Sequence, residues 1–301
     1  MNQQFLTELK AVTAENRIFT DESMKKHTTF RVGGPADILV QPKGTELAAV
    51  IRLCRKYDVP YQVIGNGSNL LVGDRGIRGL VIEMLSKEDE ICVEDDCITV
   101  GAGMLLSKTA NRAAEHGLTG MEFAAGIPGR IGGAVVMNAG AYGGEMKDIL
   151  TAVTVLDQEG NEKILSAEEL ELGYRTSCIL KKGYIVTGAK IKLKHGEETA
   201  IRARMEELKK QRVEKQPLEY PSAGSTFKRP EGYFAAKLIE DAGLKGCARG
   251  GAQVSEKHAG FVVNKGDATA KDVCELTDYI KSEVMEKFGV GLELEVVKVG
   301  F

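Results

Sequence analysis

Apolar positions along this 301-residue chain change their period several times, and each change marks an element. After a polar N-terminal stretch, the short apolar run DILVQP (residues 37–42) predicts a strand. Leu47, Val50, Ile51 and Cys54 then recur at helical spacing, which predicts an amphipathic helix over 45–58. YQVIG (61–65) predicts a second strand and completes a βαβ unit. From 80 to 100 short apolar runs alternate with acidic turns, as in VIEM and ICVEDDCITV, the pattern of a strand meander. A helix fits 104–116 and stops at Gly117.

Strands follow at 151–157 and 184–193, with SAEELELGYRTS between them, and the first domain is expected to span residues 1–195. A charged helix over 197–215 carries Ile201, Met205 and Leu208 on one face, so residues 196–204 begin a connector. The second domain, 205–301, is predicted to hold a strand around Ser225, a helix over 233–241 and a strand near Phe261. A long helix over 270–288 follows, with Val273, Leu276, Ile280, Val284 and Phe288 on one stripe and Gly289 as its cap. LELEVVKV (292–299) is the expected last strand. No internal repeat or low-complexity tract interrupts the pattern.

Charge and cysteine usage narrow the function classes. Forty basic and 43 acidic side chains leave a net charge of -3, and no long basic block stands out, which argues against a nucleic-acid partner. The start, MNQQFLTELK, has no apolar signal core, and no run approaches the roughly 18 apolar residues of a membrane span, so a cytoplasmic protein with no membrane partner is expected. Six cysteines are scattered without a CxxC pair and the four histidines do not cluster beside them. Neither a metal site nor a disulfide framework is expected; reduced, mostly buried thiols are.

Two glycine-rich stretches carry the candidate chemistry. GNGSNLL (65–71) sits where a strand should end, and its backbone amides and short polar side chains suit an anion, although a tight turn alone would also explain it. GIPGRIGGAVVMNAGAYGG (126–144) has seven glycines in nineteen residues and one charged side chain, Arg130. A flexible linker would be rich in Ser and charge, whereas this stretch holds Ile127, Ile131, Val135, Val136, Met137 and Tyr142. Neither GxGxxG nor GxxxxGK[ST] occurs, which speaks against a dinucleotide fold of the usual kind and against a P-loop. Two weakly charged, amide-rich loops in one domain suit a ligand with two phosphates.

TTFRVGGPAD (28–37), IGNGSNLLV (64–72), the glycine stretch at 126–144, YRTS (174–177), SAGSTFKRP (222–230) and LELEV (292–296) together resemble the UDP-N-acetylenolpyruvoylglucosamine reductase family, in the family's order and over nearly the whole chain. The resemblance implies an α+β fold: an FAD-binding domain of the vanillyl-alcohol-oxidase (PCMH) type in two subdomains, plus a C-terminal α+β substrate-binding subdomain. It implies FAD held without a covalent bond, NADPH as co-substrate, and a UDP-sugar as the molecule reduced in peptidoglycan precursor synthesis. Gly65, Asn66, Gly67, Ser68 and Asn69, with Gly126, Ile127, Pro128, Gly129, Gly132, Gly133, Asn138, Ala139 and Gly140, would then hold FAD. Arg130 departs from the family's small residue at its position, and the sequence leaves it open between the FAD phosphates and solvent.

The same resemblance implies three reacting residues. Ser225 matches the proton donor to C2 of the enolpyruvyl group, Arg175 the partner of its carboxylate and developing enolate, and Glu295 the carboxylate that shares a proton or polarises that group. Taken alone, Ser225 would be a turn residue, Arg175 a surface ion pair, and Glu293 and Glu295 two glutamates on one solvated strand face. Arg229, Lys228 and Tyr174 match substrate-binding positions. KQPLEYPSAG lacks the long insertion of the family's larger subclass, which implies the shorter subclass and a more open uridine site. Two other readings remain: an FAD-dependent alcohol or hydroxy-acid oxidase of the same fold, which would take up oxygen without consuming NADPH, and a non-enzymatic nucleotide-binding protein, which would purify colourless.

Overall fold

The structure, a computed structural model, describes residues 3–86 and 91–301, so the acidic turn at 87–90 of the expected meander lies outside the described residues. The chain forms two compact units. The first comprises Met1–Phe19, Ile38–Asn66 and Gly79–Arg212, the second Thr20–Asp37, Gly67–Arg78 and Val213–Phe301. Both are therefore discontinuous, whereas the boundary expected from the pattern, near 195–205, divides the chain only once.

The first unit has two cores. In one, helix α1 (Gln3–Val12) packs on α2 (Gly44–Lys56), with Phe5 edge-on to Tyr57 at 5.9 Å between ring centroids. The polar N-terminal stretch hides this helix because only Phe5 and Leu9, one turn apart, are buried on it. Behind them Tyr61–Ile64 runs parallel to Ile77–Glu83. The second core is built on a five-stranded antiparallel sheet in the order Glu162–Ser166, Leu150–Leu156, Ile185–Lys192, Cys97–Gly101, Ile91–Glu94. Helices α3 (Leu106–Glu115) and α4 (Ile131–Val136) contribute to it, and α4 lies against Ile185–Lys192.

The expected meander is thus divided between two sheets. Ile77–Glu83 is buried at six of seven positions, as a parallel strand covered on both faces must be, while Cys97–Gly101 alternates in an antiparallel hairpin with Ile91–Glu94. Apolar runs mark both as strands but do not name their partners. The strand Glu162–Ser166 and the short helix α5 (Cys178–Lys182) lie in the stretch that the pattern left unassigned between 157 and 184. Helix α6 (Glu198–Lys215) forms as expected, with Ile201 and Leu208 buried.

The second unit joins α7 (Ala235–Asp241), α8 (Ala270–Phe288) and a three-stranded antiparallel sheet of Ala248–Arg249, Ala252–Val254 and Val262–Asn264. Phe30, Val32 and Leu71, from its two early segments, share a core with Leu276 and Ile280. Polar bonds fasten the same segments: Thr29 Oγ1 donates to the Ser222 carbonyl at 2.6 Å, and Asn264 Nδ2 to that of Phe30 at 3.2 Å. The Asp74 carboxylate accepts from the Ala270 and Lys271 amides at 2.7 and 3.0 Å, satisfying donors that the first turn of α8 leaves open. Thr269 and Asp272 add a reciprocal capping box.

Three local expectations change. No strand forms around Ser225, because Gly224 at φ +76° turns the chain and leaves only single bridges, Ser222 to Val263 and Phe227 to Leu294. The last strand shortens to Val297–Val299, parallel to Leu70–Val72. Phe288 is 39% exposed, so the buried stripe of α8 ends at Val284. Of the six cysteines only Cys54 and Cys178 are buried, Cys92 being exposed and the rest intermediate. Burial pushes the Cys54 thiol up to about 12. No helix among the described residues is long and apolar enough to cross a membrane.

The stripe of α8 gives a direct stability test. Ile280→Ala, at a fully buried position, is expected to cost about 2–5 kcal/mol in chemical denaturation through lost burial and a residual cavity, and Phe288→Ala less than about 0.5 kcal/mol. Equal losses would mean that the stripe continues to Phe288.

Candidate active site

The division between the units falls within the first glycine stretch. Gly65 follows the strand Tyr61–Ile64, and Asn66 Nδ2 donates to the Pro128 carbonyl at 2.9 Å, so this end of the stretch is bonded to the second glycine stretch. From Gly67 on, the residues belong to the second unit. A Cβ on Gly67, at φ +58°, would stand 2.1 Å from the His27 carbonyl oxygen, which leaves glycine as the residue that fits. Asn69 Nδ2 donates to the Glu295 carbonyl at 3.1 Å and its own carbonyl accepts from the Val297 amide at 2.9 Å. Two of the five residues expected to hold FAD thus direct their side-chain amides to the protein's own carbonyls, and Asn69 braces the segment that carries Glu295.

In the second stretch several glycines are required by packing. A Cβ on Gly140 would meet Glu145 Cβ at 2.7 Å and one on Gly144 would meet the Phe123 ring at 2.6 Å, so the short hairpin Gly140–Ala141 and Gly144–Glu145 closes only without side chains there. A Cβ on Gly132 would lie 3.1 Å from that of Ala102. Gly133 differs, since a Cβ there would meet nothing within 4 Å. It is the exposed glycine of α4, with open space on the side where a ligand can approach the backbone closely. Ile127 and Gly129 are half-buried, Gly126 and Pro128 exposed, and Ala139 buried.

Two arginines flank this stretch. The backbone of Arg130 bridges Leu105, its side chain lies over Gly65, and its Nη1 donates to the Gly103 carbonyl at 2.6 Å. Its Nε–H is buried and has no hydrogen-bond partner, an arrangement that costs about 1–3 kcal/mol for as long as the donor stays unmet. Burial lowers the pKa of this guanidinium, and the more distant Glu83 carboxylate raises it. Arg212 of α6 reaches Gly126, where a Cβ would lie 3.2 Å from its Cδ. Burial lowers its pKa too, against a smaller opposing effect of Tyr142. Sequence reasoning missed Arg212, because one arginine in the charged run EELKKQR has no local signature.

The glycine stretch also positions Arg175. Asn138, 1% exposed and at φ +44°, donates through Nδ2 to Glu145 Oε2 at 2.7 Å and to the Gly173 carbonyl at 3.1 Å, while its Oδ1 accepts from the Lys147 amide at 2.9 Å. Ser177, fully buried, donates to the Val136 carbonyl at 2.6 Å. Between these anchors Gly173 and Thr176 pair and the chain turns through Tyr174 and Arg175. Arg175 takes φ +53°, a left-handed conformation costing about 1–3 kcal/mol that persists only where its surroundings impose it. Tyr174 is 56% exposed, with the Arg175 guanidinium carbon 5.4 Å from its ring centroid.

The segments that carry Ser225 and Glu295 pair in the second unit. The Glu295 amide donates to the Thr226 carbonyl at 2.9 Å, and the Lys228 amide to the Glu293 carbonyl at 2.8 Å, on either side of the Phe227–Leu294 bridge. Thr226 is itself locked, donating its amide to Gly260 and accepting the Val262 amide at Oγ1. Ser225 is exposed and Glu295 half-buried. Strand alternation would give the two glutamates one face, but their surroundings differ: Glu293 is solvated and paired with Lys228 Nζ at 3.1 Å. Arg229 stacks over the Phe234 ring at 4.0 Å.

The open space at Gly133 and the unmet Nε–H of Arg130 fit a group with anionic oxygens and a closely approaching chain. A family model described as FAD binding domain matches residues 36–166. Fold and site thus define an FAD-dependent oxidoreductase, an α+β protein with a PCMH-type FAD-binding domain. A second model, described as UDP-N-acetylenolpyruvoylglucosamine reductase, C-terminal domain, matches 216–299. The UDP-N-acetylenolpyruvoylglucosamine reductase of Agathobacter rectalis is 53% identical over 312 residues, covering 100% of this chain and 99% of the relative. That of Lachnoclostridium phytofermentans is 54% identical over 305 residues, covering 100% of this chain and 98% of the relative. The crystal structure of the Thermus caldophilus enzyme of that name superposes with a TM-score of 0.79 at 41% identity, over 94% of this chain and 98% of that one. The chain belongs to the UDP-N-acetylenolpyruvoylglucosamine reductase family.

Gly133→Ala separates packing from ligand approach. Because the added methyl meets no protein atom, the melting temperature of the flavin-free protein should hold or rise slightly, while FAD retention on gel filtration should fall. Unchanged retention would remove Gly133 from the cofactor contacts.

Proposed function

We propose that the protein reduces the enolpyruvyl group of UDP-N-acetylglucosamine enolpyruvate to UDP-N-acetylmuramate with NADPH, in two half-reactions, as a step of peptidoglycan precursor synthesis in the cytoplasm. In this reading residues 1–195 serve FAD and 205–301 the UDP-sugar. The observation that supports it most is the backbone pairing of Thr226 with Glu295, which brings the segment that carries Ser225 against the one that carries Glu295. FAD, when bound, would supply the hydride chemistry between NADPH and the substrate carbon. The chain has no covalent tie to propose for it: His27, the one histidine near a cofactor motif, has its Nε2 3.1 Å from a Glu22 carboxylate oxygen.

The residues of the chain handle charge and protons. Hydride addition at C3 leaves negative charge at C2, delocalised into the adjoining carboxylate. Arg175 offers that carboxylate a planar, permanently charged fork, held in a turn too constrained to follow the side chain away. Ser225 donates the proton to C2. A serine hydroxyl is a weak acid, so its role depends on neighbours that stabilise the alkoxide, and Glu295 acts on the enol or carboxyl side of the same transfer. Lys228 and Arg229 serve the substrate phosphates and Tyr174 lines the substrate; the Lys228–Glu293 pair is solvated and exchanges at little cost.

Arg175→Lys should keep its FAD and lose most turnover, since an ammonium keeps the charge and lacks the fork. Near wild-type NADPH oxidation with the enolpyruvyl substrate would remove Arg175 from the carboxylate.

Ser225→Ala should divide the two half-reactions. Anaerobic bleaching of the flavin by NADPH requires no proton at carbon and should stay close to wild type, while reoxidation by the enolpyruvyl substrate should slow by roughly 10²- to 10⁴-fold in stopped-flow absorbance. Ser225→Cys should recover part of the loss. Equal slowing of both halves would make Ser225 structural, and no slowing would rule it out as the donor.

A further inference from the structure

We propose that Arg130 contributes a fixed positive charge to the glycine stretch and pairs with the diphosphate of FAD, so that this chain adds an ion pair to a cradle built largely of glycines and backbone amides. The inference rests on FAD as the cofactor and concerns which side chain meets its phosphates.

The sequence left Arg130 open between the phosphates and solvent, and in the structure the side chain is half-buried with its Nε cut off from solvent. The side chain lies inward over Gly65, which presents no side chain of its own, and Nη1 is held by the Gly103 carbonyl at 2.6 Å. Backbone bonds fix its base on both sides: the Ile131 amide donates to the Met104 carbonyl at 2.9 Å, and the Leu106 amide to the Gly129 carbonyl at 3.0 Å. A guanidinium held this way has little freedom to swing out to water.

Its polar capacity is nonetheless unfilled. Nε–H is buried without an acceptor, and the carboxylate whose charge reaches this guanidinium, that of Glu83, accepts a hydrogen bond from Gln41. A buried cation normally has a counter-charge. Arg130 has Glu83 as a more distant one, a neutral carbonyl on one edge and, on the same short segment, Gly133 open to an approaching ligand. A structural arginine would be expected to satisfy its donors within the protein, as Arg17 does with both oxygens of Glu46 and the Gln41 carbonyl. An anionic oxygen meets the need of Arg130, and a diphosphate supplies several. Solvation by the loop alone accounts for Nη1 and leaves Nε unexplained.

The test is flavin binding by the full-length protein freed of flavin, followed by quenching of flavin fluorescence, with FAD and with riboflavin, which has the same ring and no phosphate. For wild type, FAD affinity should fall with added salt and riboflavin affinity should not. Arg130→Gln should weaken FAD by about 10- to 100-fold, the usual range for a lost charge-assisted hydrogen bond, flatten the salt dependence and leave riboflavin unchanged. Arg130→Lys should restore part of the FAD affinity and its salt dependence. Wild-type FAD affinity in Arg130→Gln would overturn the proposal. So would an equal loss for FAD and riboflavin, which would make Arg130 a brace of the loop, and a wild-type FAD affinity indifferent to salt would overturn it even if neither variant folds. Failure of wild type to bind either flavin would instead overturn the assignment of FAD itself.

Discussion

The buried side-chain amide of Asn138 dictates the course of the backbone around the candidate site of the first unit. Its oxygen accepts the Lys147 amide and its nitrogen serves both Glu145 and the Gly173 carbonyl, so one residue ties the end of the glycine stretch, the hairpin after it and the turn that carries Arg175. An amide with 1% exposure cannot exchange these partners for water without cost, which makes the three segments move as one. The left-handed Arg175 is a consequence. Gly173 and Thr176 are paired, Ser177 is bonded to Val136, and the two residues between have a single way across. The strain is met by several bonds outside the turn.

A second amide does similar work in the other unit. Asn69 belongs to the stretch that reads as a phosphate loop, yet its side chain holds the Glu295 carbonyl, and the strand after it runs alongside Val297–Val299. Glu295 is therefore placed from one side by Asn69 and from the other by Thr226, whose neighbour is Ser225. Asn66 does the corresponding thing in the first unit, on the Pro128 carbonyl. Asparagine suits such positions because its amide satisfies backbone groups that no regular ladder reaches. The polar side chains that look like ligand donors in the sequence are the ones that hold the loops in shape.

Glycine density has two causes in this protein, and they are separable position by position. At Gly140 and Gly144 a side chain would strike the protein itself; at Gly133 it would enter empty space. Charge follows a comparable division. Many lysines and arginines sit in solvated pairs, several of them within helices, such as Arg202 with Glu198 and Lys237 with Asp241, which contribute little. Arg130 and Arg212 sit beside the glycine stretch, each partly desolvated, with only the more distant Glu83 carboxylate acting on Arg130. Electrostatic potential is concentrated where the water is excluded.

The sequence by itself determined what local chemistry can determine. Helix α8 was legible to its ends because its periodicity, the Thr269 and Asp272 box and the left-handed Gly289 all lie within a turn of the bonds they make. The motifs were equally legible as motifs, and with them the family and its cofactor. Tertiary structure decided which strands share a sheet, that Thr20–Asp37 and Gly67–Arg78 join the second unit, and that Ser225 lies outside any strand. It decided too that Arg130 turns inward, that Arg212 reaches Gly126, and that Asn69 serves Glu295 across 226 positions. Each of these depends on a partner far along the chain. A period of two or 3.6 records which face of an element is apolar; it holds no information on what will cover that face.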